Sequence, residues 1–442
     1  MANKTVFFWA FVVALGGFLF GFDTAVISGA EQSIQQYWGL SEVQHGFTVS
    51  IALIGTVFGA LGGSIPSDKL GRKATLLLVA AIYLVSAIGT AMATDWYLFL
   101  ICRFIGGLGV GASSVTAPVY ISEVSPAKFR GRMVALFQFN VVLGILVSYL
   151  SNFLIGMSGD SSWRLMLGVQ AVPAGLFLVL LRWVPESPRW LLLKGIKEQA
   201  AIATLKVINP EGYKDDIDTI RQSQLVQVGA VKNEKLFTAK YNTPVMLAVL
   251  FAMFNQVSGI NAIIYYAPRI FEMSGLGAGS SLLSTVGIGI VNFIFTLTAI
   301  RFIDRIGRRQ MMLIGTVGLI ATLGLVAVSF YMHTGGIAVV SYLLIYIAFF
   351  AFSQGAVIWV FISEIFPNQV RAKGQTLGSF THWIMAAVIA FTFPYLASRI
   401  GGGHIFLFFC VMMVLQLVFV LRWMPETKGR TLEEIEMTMV VH

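Results

Sequence analysis

The chain has 442 residues, of which 57% are hydrophobic and only 12% charged, and its mean hydropathy is +0.80. Soluble domains carry about 25% charged residues, so the composition excludes a protein whose main solvent is water. The net charge of +9 invites a nucleic-acid reading, which the placement of the cations along the chain argues against.

Apolar stretches long enough to cross a hydrocarbon core about 30 Å thick recur from one end to the other. In chain order twelve spans are expected, at 7–29, 46–66, 75–93, 96–121, 133–155, 165–184, 244–271, 280–303, 311–332, 337–362, 375–397 and 405–423. The first contains Asp23 and is too long for a signal-peptide core, so it is read as a mature helix. Span 4 carries Arg103, and span 5 carries Gln138. Between spans 6 and 7, 185–242 is the one stretch of soluble composition. Its residues 197–207 have an amphipathic helical pattern, followed by Asp215, Asp216 and Asp218, which predicts a cytoplasmic helical linker. Span 7 contains Asn255, Gln256 and Asn261, span 8 Asn292, span 10 Trp359, and span 11 His382 and Trp383. Cys102 and Cys410 both fall in apolar spans, which points to packing rather than to a disulfide or a metal site.

The loops repeat. Ser67-Asp68-Lys69-Leu70-Gly71-Arg72-Lys73 after span 2 answers to Ile303-Asp304-Arg305-Ile306-Gly307-Arg308-Arg309 after span 8. Ile121-Ser122-Glu123 after span 4 answers to Ile362-Ser363-Glu364 after span 10, and Arg182-Trp183-Val184-Pro185-Glu186 to Arg422-Trp423-Met424-Pro425-Glu426. The offsets are 236 from Gly71 to Gly307, 241 from Glu123 to Glu364 and 240 from Pro185 to Pro425. Three pairs in one order at nearly one offset imply a duplicated six-helix unit. The expected division is a first half at 1–184, the linker at 185–243, a second half at 244–423 and a tail at 424–442.

Cations crowd the same loops: Lys69, Arg72 and Lys73; Lys128, Arg130 and Arg132; the linker; Arg301, Arg305, Arg308 and Arg309; Arg371 and Lys373; and the tail. The opposite loops carry only Arg164, Arg269 and Arg399. The positive-inside rule then places both termini in the cytoplasm. The basic balance reports topology and attraction to anionic lipid, with no nucleic-acid partner implied. Glu123 and Arg130, like Glu364 and Arg371, lie seven apart and straddle a helix end. With Asp68, Arg72, Glu186, Arg189, Asp304, Arg308 and Glu426 they are expected to form a charge network between the halves that holds a cytoplasmic gate. One exposed ion pair contributes little, whereas a partly dehydrated network can bias two moving bodies.

Over essentially its whole length the chain resembles the sugar porters of the major facilitator superfamily. The resemblance rests on the doubled Gly-Arg-Lys/Arg loop, on Pro-Glu-Ser-Pro-Arg-Trp-Leu at 185–191, on Pro-Glu-Thr-Lys-Gly-Arg-Thr-Leu-Glu-Glu at 425–434, and on Gln256-Val257-Ser258-Gly259-Ile260-Asn261 followed by Tyr265-Tyr266-Ala267-Pro268. It implies an all-α membrane fold of twelve helices, alternating access, and a monosaccharide substrate, most like that of the bacterial proton-linked pentose and hexose carriers.

Ionisable groups at membrane depth are functional candidates by default. Asp23 and Arg103 each lie about seven residues from the same side, so at about 1.5 Å per residue they sit roughly 10 Å deep and can meet. Burial disfavours a charged carboxyl and a nearby guanidinium favours it, so a pair whose separation changes between conformations has two proton affinities. Gly21-Phe22-Asp23-Thr24 also matches the proton-carrying motif of the family. A static ion pair orienting helices 1 and 4 is the alternative. Sugars both donate and accept hydrogen bonds, so amides over an aromatic floor suit them. Gln138, Asn255, Gln256, Asn261, Asn292, Trp359, His382 and Trp383 are the candidates. The resemblance assigns Gln138, Gln256, Asn261, Asn292 and Trp359 to the sugar site. Three positions depart from the family: Asn255 stands for a glutamine, His382 for an amide, and span 10 reads Ser353-Gln354-Gly355-Ala356-Val357-Ile358-Trp359 without the usual prolines. Gln256 and Asn261, five apart, would diverge by about 140° on a straight helix, so unwinding at Gly259 is expected. Imidazole titrates at about pH 6.5, and His382 is read as a neutral sugar ligand, since span 11 offers no counterion.

Proton–sugar symport is thus expected, with facilitative uniport and a non-transporting sugar sensor as alternatives. An exporter fits the amides poorly. No nucleophile, metal or cofactor constellation points to an enzyme. Short loops and the absence of a glycosylation-bearing outer loop suggest a bacterial inner membrane, and a monomer is expected.

Overall fold

The structure, a computed structural model, describes residues 4–126, 129–157, 162–230, 235–367, 369–429 and 434. Lys128 and all of the tail beyond Gly429 except Glu434 lie outside the described residues. Among the described residues the regular elements are all helices. Eleven segments are long and apolar enough to cross a membrane: Lys4–Trp38, Glu42–Gly62, Arg72–Met92, Trp96–Val124, Arg130–Gly156, Trp163–Trp183, Ala239–Met273, Ala278–Ile306, Arg308–Met332, Gly336–Glu364 and Arg371–Arg422. The last has 52 residues, about 78 Å of helix and more than twice a hydrocarbon core. It is interrupted at Gly401, where φ is 78° and ψ 162°, a region that only glycine enters readily. It therefore supplies spans 11 and 12, and the twelve-span architecture holds.

Packing divides the chain into two compact units that do not follow its linear halves. The first unit holds Met1–Asp23, Gly55–Ile145 and Leu167–Glu234; the second holds Thr24–Ile54, Leu146–Met166 and Lys235–His442.

In the first unit, spans 2 and 4 meet backbone to backbone. A Cβ on Gly55 would lie 2.3 Å from the Phe104 carbonyl oxygen, and one on Gly59 2.3 Å from that of Leu108. Small residues permit this approach, which van der Waals packing rewards where lipid removes the hydrophobic drive between helices. The linker forms the helices Pro188–Lys194, Glu198–Ile208 and Tyr213–Ala230. Trp190, Leu191 and Ala201 pack together as a small buried cluster, and Trp190 Nε1 donates to the Asp68 carbonyl at 3.0 Å.

In the second unit, two spans are broken. Span 7 consists of Asn242–Val257 and Ile260–Met273, separated by Gly259 at φ 89°, ψ 7°. Span 10 consists of Gly336–Phe352 and Gln354–Glu364, with Ser353 between them at φ −115°, ψ −88°. No proline is needed there: the Ser353 hydroxyl takes up the Phe349 carbonyl at 2.6 Å, satisfying an acceptor near the break.

Candidate functional site

Asp23 and Arg103 are packed together in the first unit. Arg103 Nη1 donates to Asp23 Oδ1 at 2.8 Å, with the residues 1% and 3% exposed. Gly106, one helical turn beyond Arg103, lets span 4 approach: a Cβ there would lie 2.4 Å from the Ser86 hydroxyl and 3.9 Å from Asp23 Oδ1. Ser86 is anchored by donating to the Cys102 carbonyl at 2.8 Å. An ion pair at this depth is costly to maintain and costly to break.

The amides of the second half converge on the break in span 7. Because Gly259 turns the chain, Asn261 Nδ2 reaches Gln256 Oε1 at 2.6 Å, a contact that a straight helix would not allow. Gln256 Nε2 donates to Asn255 Oδ1 at 2.9 Å and lies 3.1 Å from His382 Nδ1. The His382 ring is 4.9 Å from those of both Trp359 and Trp383. Trp359 is 38% exposed while the amides beneath it are buried, so donors, acceptors and an accessible aromatic face adjoin one another. Asn292 pairs with Thr296 one turn away at 3.5 Å. Gln138 belongs to the first unit, where it is half-buried.

Behind these amides a second tier was not foreseen. Asn255 Nδ2 donates to the Gln354 carbonyl, Gln354 Nε2 to Gln416 Oε1 at 2.9 Å, and Gln416 Nε2 to Thr316 Oγ1 at 3.1 Å. This relay joins spans 7, 10, 12 and 9 and holds the hinge residue Gln354 in place.

The duplicated loops form two copies of one device. Arg72 grips Glu123 through Nε and Nη2 at 3.1 and 3.2 Å and reaches Asp68 at 3.0 Å. Glu186 accepts from the backbone N–H groups of Arg72 and Lys73 at 2.9 and 3.1 Å, capping the first turn of span 3. Arg308 binds Glu364 at 2.9 Å and Asp304 at 3.0 Å, and Glu426 accepts from the N–H groups of Arg308 and Arg309, both at 3.0 Å. Arg130 and Arg371 stand outside these carboxylate contacts. Arg130 donates to the Ser122 carbonyl and Arg371 to the Phe366 carbonyl, while Glu123 and Glu364 are taken by the arginine of a neighbouring helix. The guanidinium fork fits a carboxylate across that helix contact. Arg189 is exposed. Each of these contacts closes inside one unit.

The family profile described as "Sugar (and other) transporter" matches residues 9–438. The chain belongs to the sugar porter family. The porter is 35% identical to the D-xylose-proton symporter of Escherichia coli strain K12, across 98% of its own length and 96% of the relative. It is 37% identical to the arabinose-proton symporter of Bacillus subtilis strain 168, across 96% and 92%. With the solved inward open conformation of the xylose transporter XylE from E. coli it shares a TM-score of 0.87 and 34% identity, covering 98% of the porter and 100% of that chain. It is a multi-pass membrane transport protein and not an enzyme.

One polar cluster of the porter escaped the sequence reading. In the second unit Arg269 Nε and Nη2 donate to Glu31 Oε1 and Oε2 at 3.0 and 2.9 Å, and Nη2 also to Gln35. His45 Nε2 lies 2.5 Å from Glu31 Oε2. Arg269 Nη1 is 3.6 Å from Glu42, which accepts from Gln35 Nε2 at 3.0 Å. Glu31 and His45 are 0% exposed. Their spacing along the chain carries no motif; the one signal was an acid and an amide, Glu31 and Gln35, on one helical face just past the apolar run.

Proposed function

We propose that the porter is a proton-coupled monosaccharide symporter that works by alternating access, taking up a pentose or hexose together with a proton. The observation that carries this reading is the buried Asp23–Arg103 pair, an acid at membrane depth joined to a guanidinium by a hydrogen bond of 2.8 Å. The names of the E. coli and B. subtilis relatives, proton symporters for xylose and arabinose, support it and put pentoses first among substrates to test.

In this scheme Asn255, Gln256, Asn261 and His382 hydrogen-bond the sugar hydroxyls, joined by Gln138 and Asn292, and Trp359 and Trp383 cover its apolar faces. The two loop networks brace the cytoplasmic end of each six-helix half, so that each moves as a stiff body around the gate. Both termini and the linker lie in the cytoplasm of a bacterial cell, with the chain in the inner membrane, in line with the crowding of Lys and Arg in those loops. A single chain supplies both halves, so the monomer is the working unit.

The test is proton movement. Purified porter in liposomes enclosing a pH dye is given D-xylose, L-arabinose and D-glucose in turn. Internal acidification that follows addition of one of these sugars is expected; sugar entry without it would reduce the porter to a uniporter.

A further inference from the structure

The relay behind the amides of span 7 has a direction, and the direction starts from a group that cannot turn. The two ends of a carboxamide have nearly one shape and are told apart by what they meet. A main-chain carbonyl only accepts, so the end of Asn255 that meets the Gln354 carbonyl is Nδ2. Asn255 Oδ1 then takes Gln256 Nε2 at 2.9 Å, and Gln256 Oε1 takes Asn261 Nδ2 at 2.6 Å. Turning any one of the three amides over would set nitrogen against nitrogen or oxygen against oxygen. The spare capacity left at the break in span 7 includes two acceptors, Asn261 Oδ1 and the second lone pair of Gln256 Oε1.

The Gln354 carbonyl is itself placed from behind. Gln354 opens the second arm of span 10, next to Ser353, where the helix breaks. Its side chain turns to span 12: Nε2 donates to Gln416 Oε1 at 2.9 Å and reaches Met413 Sδ at 3.3 Å, an atom that only accepts. Gln416 Nε2 donates in turn to Thr316 Oγ1 of span 9 at 3.1 Å. Beside Thr316, Gly315 lies against the hinge, and no side chain fits between its backbone and the Ser353 hydroxyl. Thr316, Gln354 and Gln416 are all buried, and Gln354 Oε1 has no hydrogen-bond partner among the described residues. Apolar side chains of similar size would fill this space without an unmatched oxygen. Packing alone therefore does not account for amides here.

We propose that Gln416 and Thr316 are positioning residues for the sugar site: by fixing Gln354 at the hinge of span 10 they lock the polarity of Asn255, Gln256 and Asn261, so that the site selects sugar hydroxyls that donate. The inference rests on the proposed reading of those amides as sugar ligands. Both residues act through Gln354 and need no contact with the sugar. An amide free to turn over meets a donor or an acceptor equally well, whereas a locked one rejects a group of the wrong sense. The relay therefore acts on specificity. It makes the site tell a hydroxyl from a group of similar size that can only accept.

Fluorine in place of a hydroxyl keeps nearly its size, accepts weakly and cannot donate. Binding of D-xylose and of each singly deoxyfluorinated D-xylose is measured by tryptophan fluorescence on the purified porter, with the D-glucose series used if D-xylose does not bind. In the parent protein at least one fluorinated sugar is expected to bind about tenfold or more weakly than the unsubstituted sugar. In Gln416→Met and in Thr316→Val that ratio is expected to shrink about threefold or more, and in Thr316→Ser, which keeps the hydroxyl, to return to the parent's. Each ratio is taken within one protein, so a general loss of affinity or stability leaves it unmoved. A parent-like ratio in either Gln416→Met or Thr316→Val, a Thr316→Ser protein that behaves like Thr316→Val, or a parent that discriminates against no fluorinated sugar overturns the proposal. Should Gln416→Met not fold, the two Thr316 variants decide alone. A parent that binds neither sugar overturns the sugar reading and this inference with it, whereas intact binding with unaltered ratios overturns this inference alone.

Discussion

Arg103 is held to Asp23 by one hydrogen bond of 2.8 Å, while its Nε and Nη2, equally buried, have no partner among the described residues. A static brace would use the whole fork, as Arg72 does on Glu123. A guanidinium tied by one carboxylate oxygen is instead sensitive to whether that carboxylate carries a proton.

Asp23→Asn is accordingly expected to abolish sugar accumulation driven by a pH gradient while sparing sugar counterflow. Both are measured with radiolabelled sugar in the same vesicles. Undiminished uphill transport by the variant would remove Asp23 from the coupling step.

The same pair makes a prediction about stability. Removing one member leaves the other buried and uncompensated, a loss of about 3–5 kcal/mol in comparable sites. Arg103→Gln alone should lower the melting temperature in detergent, and Arg103→Gln combined with Asp23→Asn should recover a large part of the loss. Additive losses would mean that the two side chains contribute separately.

Gly259→Ala tests the broken helix. Its φ of 89° disfavours any side chain by about 1–2 kcal/mol, and a Cβ would lie 2.4 Å from the Phe409 ring. Relieving either strain straightens span 7 and parts Gln256 from Asn261. Sugar affinity, followed by tryptophan fluorescence, should fall about tenfold or more, with protein yield less affected.

Glu186→Gln and Glu426→Gln should act alike, because each carboxylate caps the helix that follows an equivalent glycine, Gly71 at φ 101° and Gly307 at φ 99°. Loss of the charge from such a cap costs about 0.5–2 kcal/mol. Thermal unfolding should show comparable shifts for the two variants. A large shift in one alone would mean that the duplicated geometry is energetically unequal.

His382→Gln is expected to change apparent sugar affinity without moving the pH profile of transport, since the ring adjoins Gln256, Trp359 and Trp383 and pairs with no carboxylate among the described residues. Uptake measured from about pH 5.5 to about pH 8 decides the matter. A displaced profile would make His382 a titrating partner in coupling.

Much of the fold was legible because lipid imposes a crude rule: each crossing needs about 20 apolar residues, and Asp23 and Arg103 stand out against such a background. The amides around Gly259 were legible as a set, and the structure brings Asn255, Gln256 and Asn261 together with His382. Pairing was less legible. Glu123 and Arg130, seven apart, straddle the helix end at Val124, and it is Arg72 from another helix that occupies the Glu123 carboxylate. The outer cluster was hidden for a related reason. Apolar runs ending at 29 and resuming at 46 make Glu31 and His45 look like loop residues, whereas the helices continue to Trp38 and begin again at Glu42. A charge at the margin of an apolar run can face water or a neighbouring helix, and periodicity alone does not distinguish the two.

The single non-helical residue at Gly401 leaves spans 11 and 12 without slack. His382 and Trp383, beside the amides of span 7, ride on the first arm of this rod. Phe409, wedged against Gly259, and Gln416, which receives Gln354, ride on the second. A loop of ordinary length would absorb a displacement of one arm before the other felt it. Under the proposed sugar site, a sugar pressing on Trp383 would also load the ring against the hinge of span 7 and the amide that receives Gln354 at the hinge of span 10.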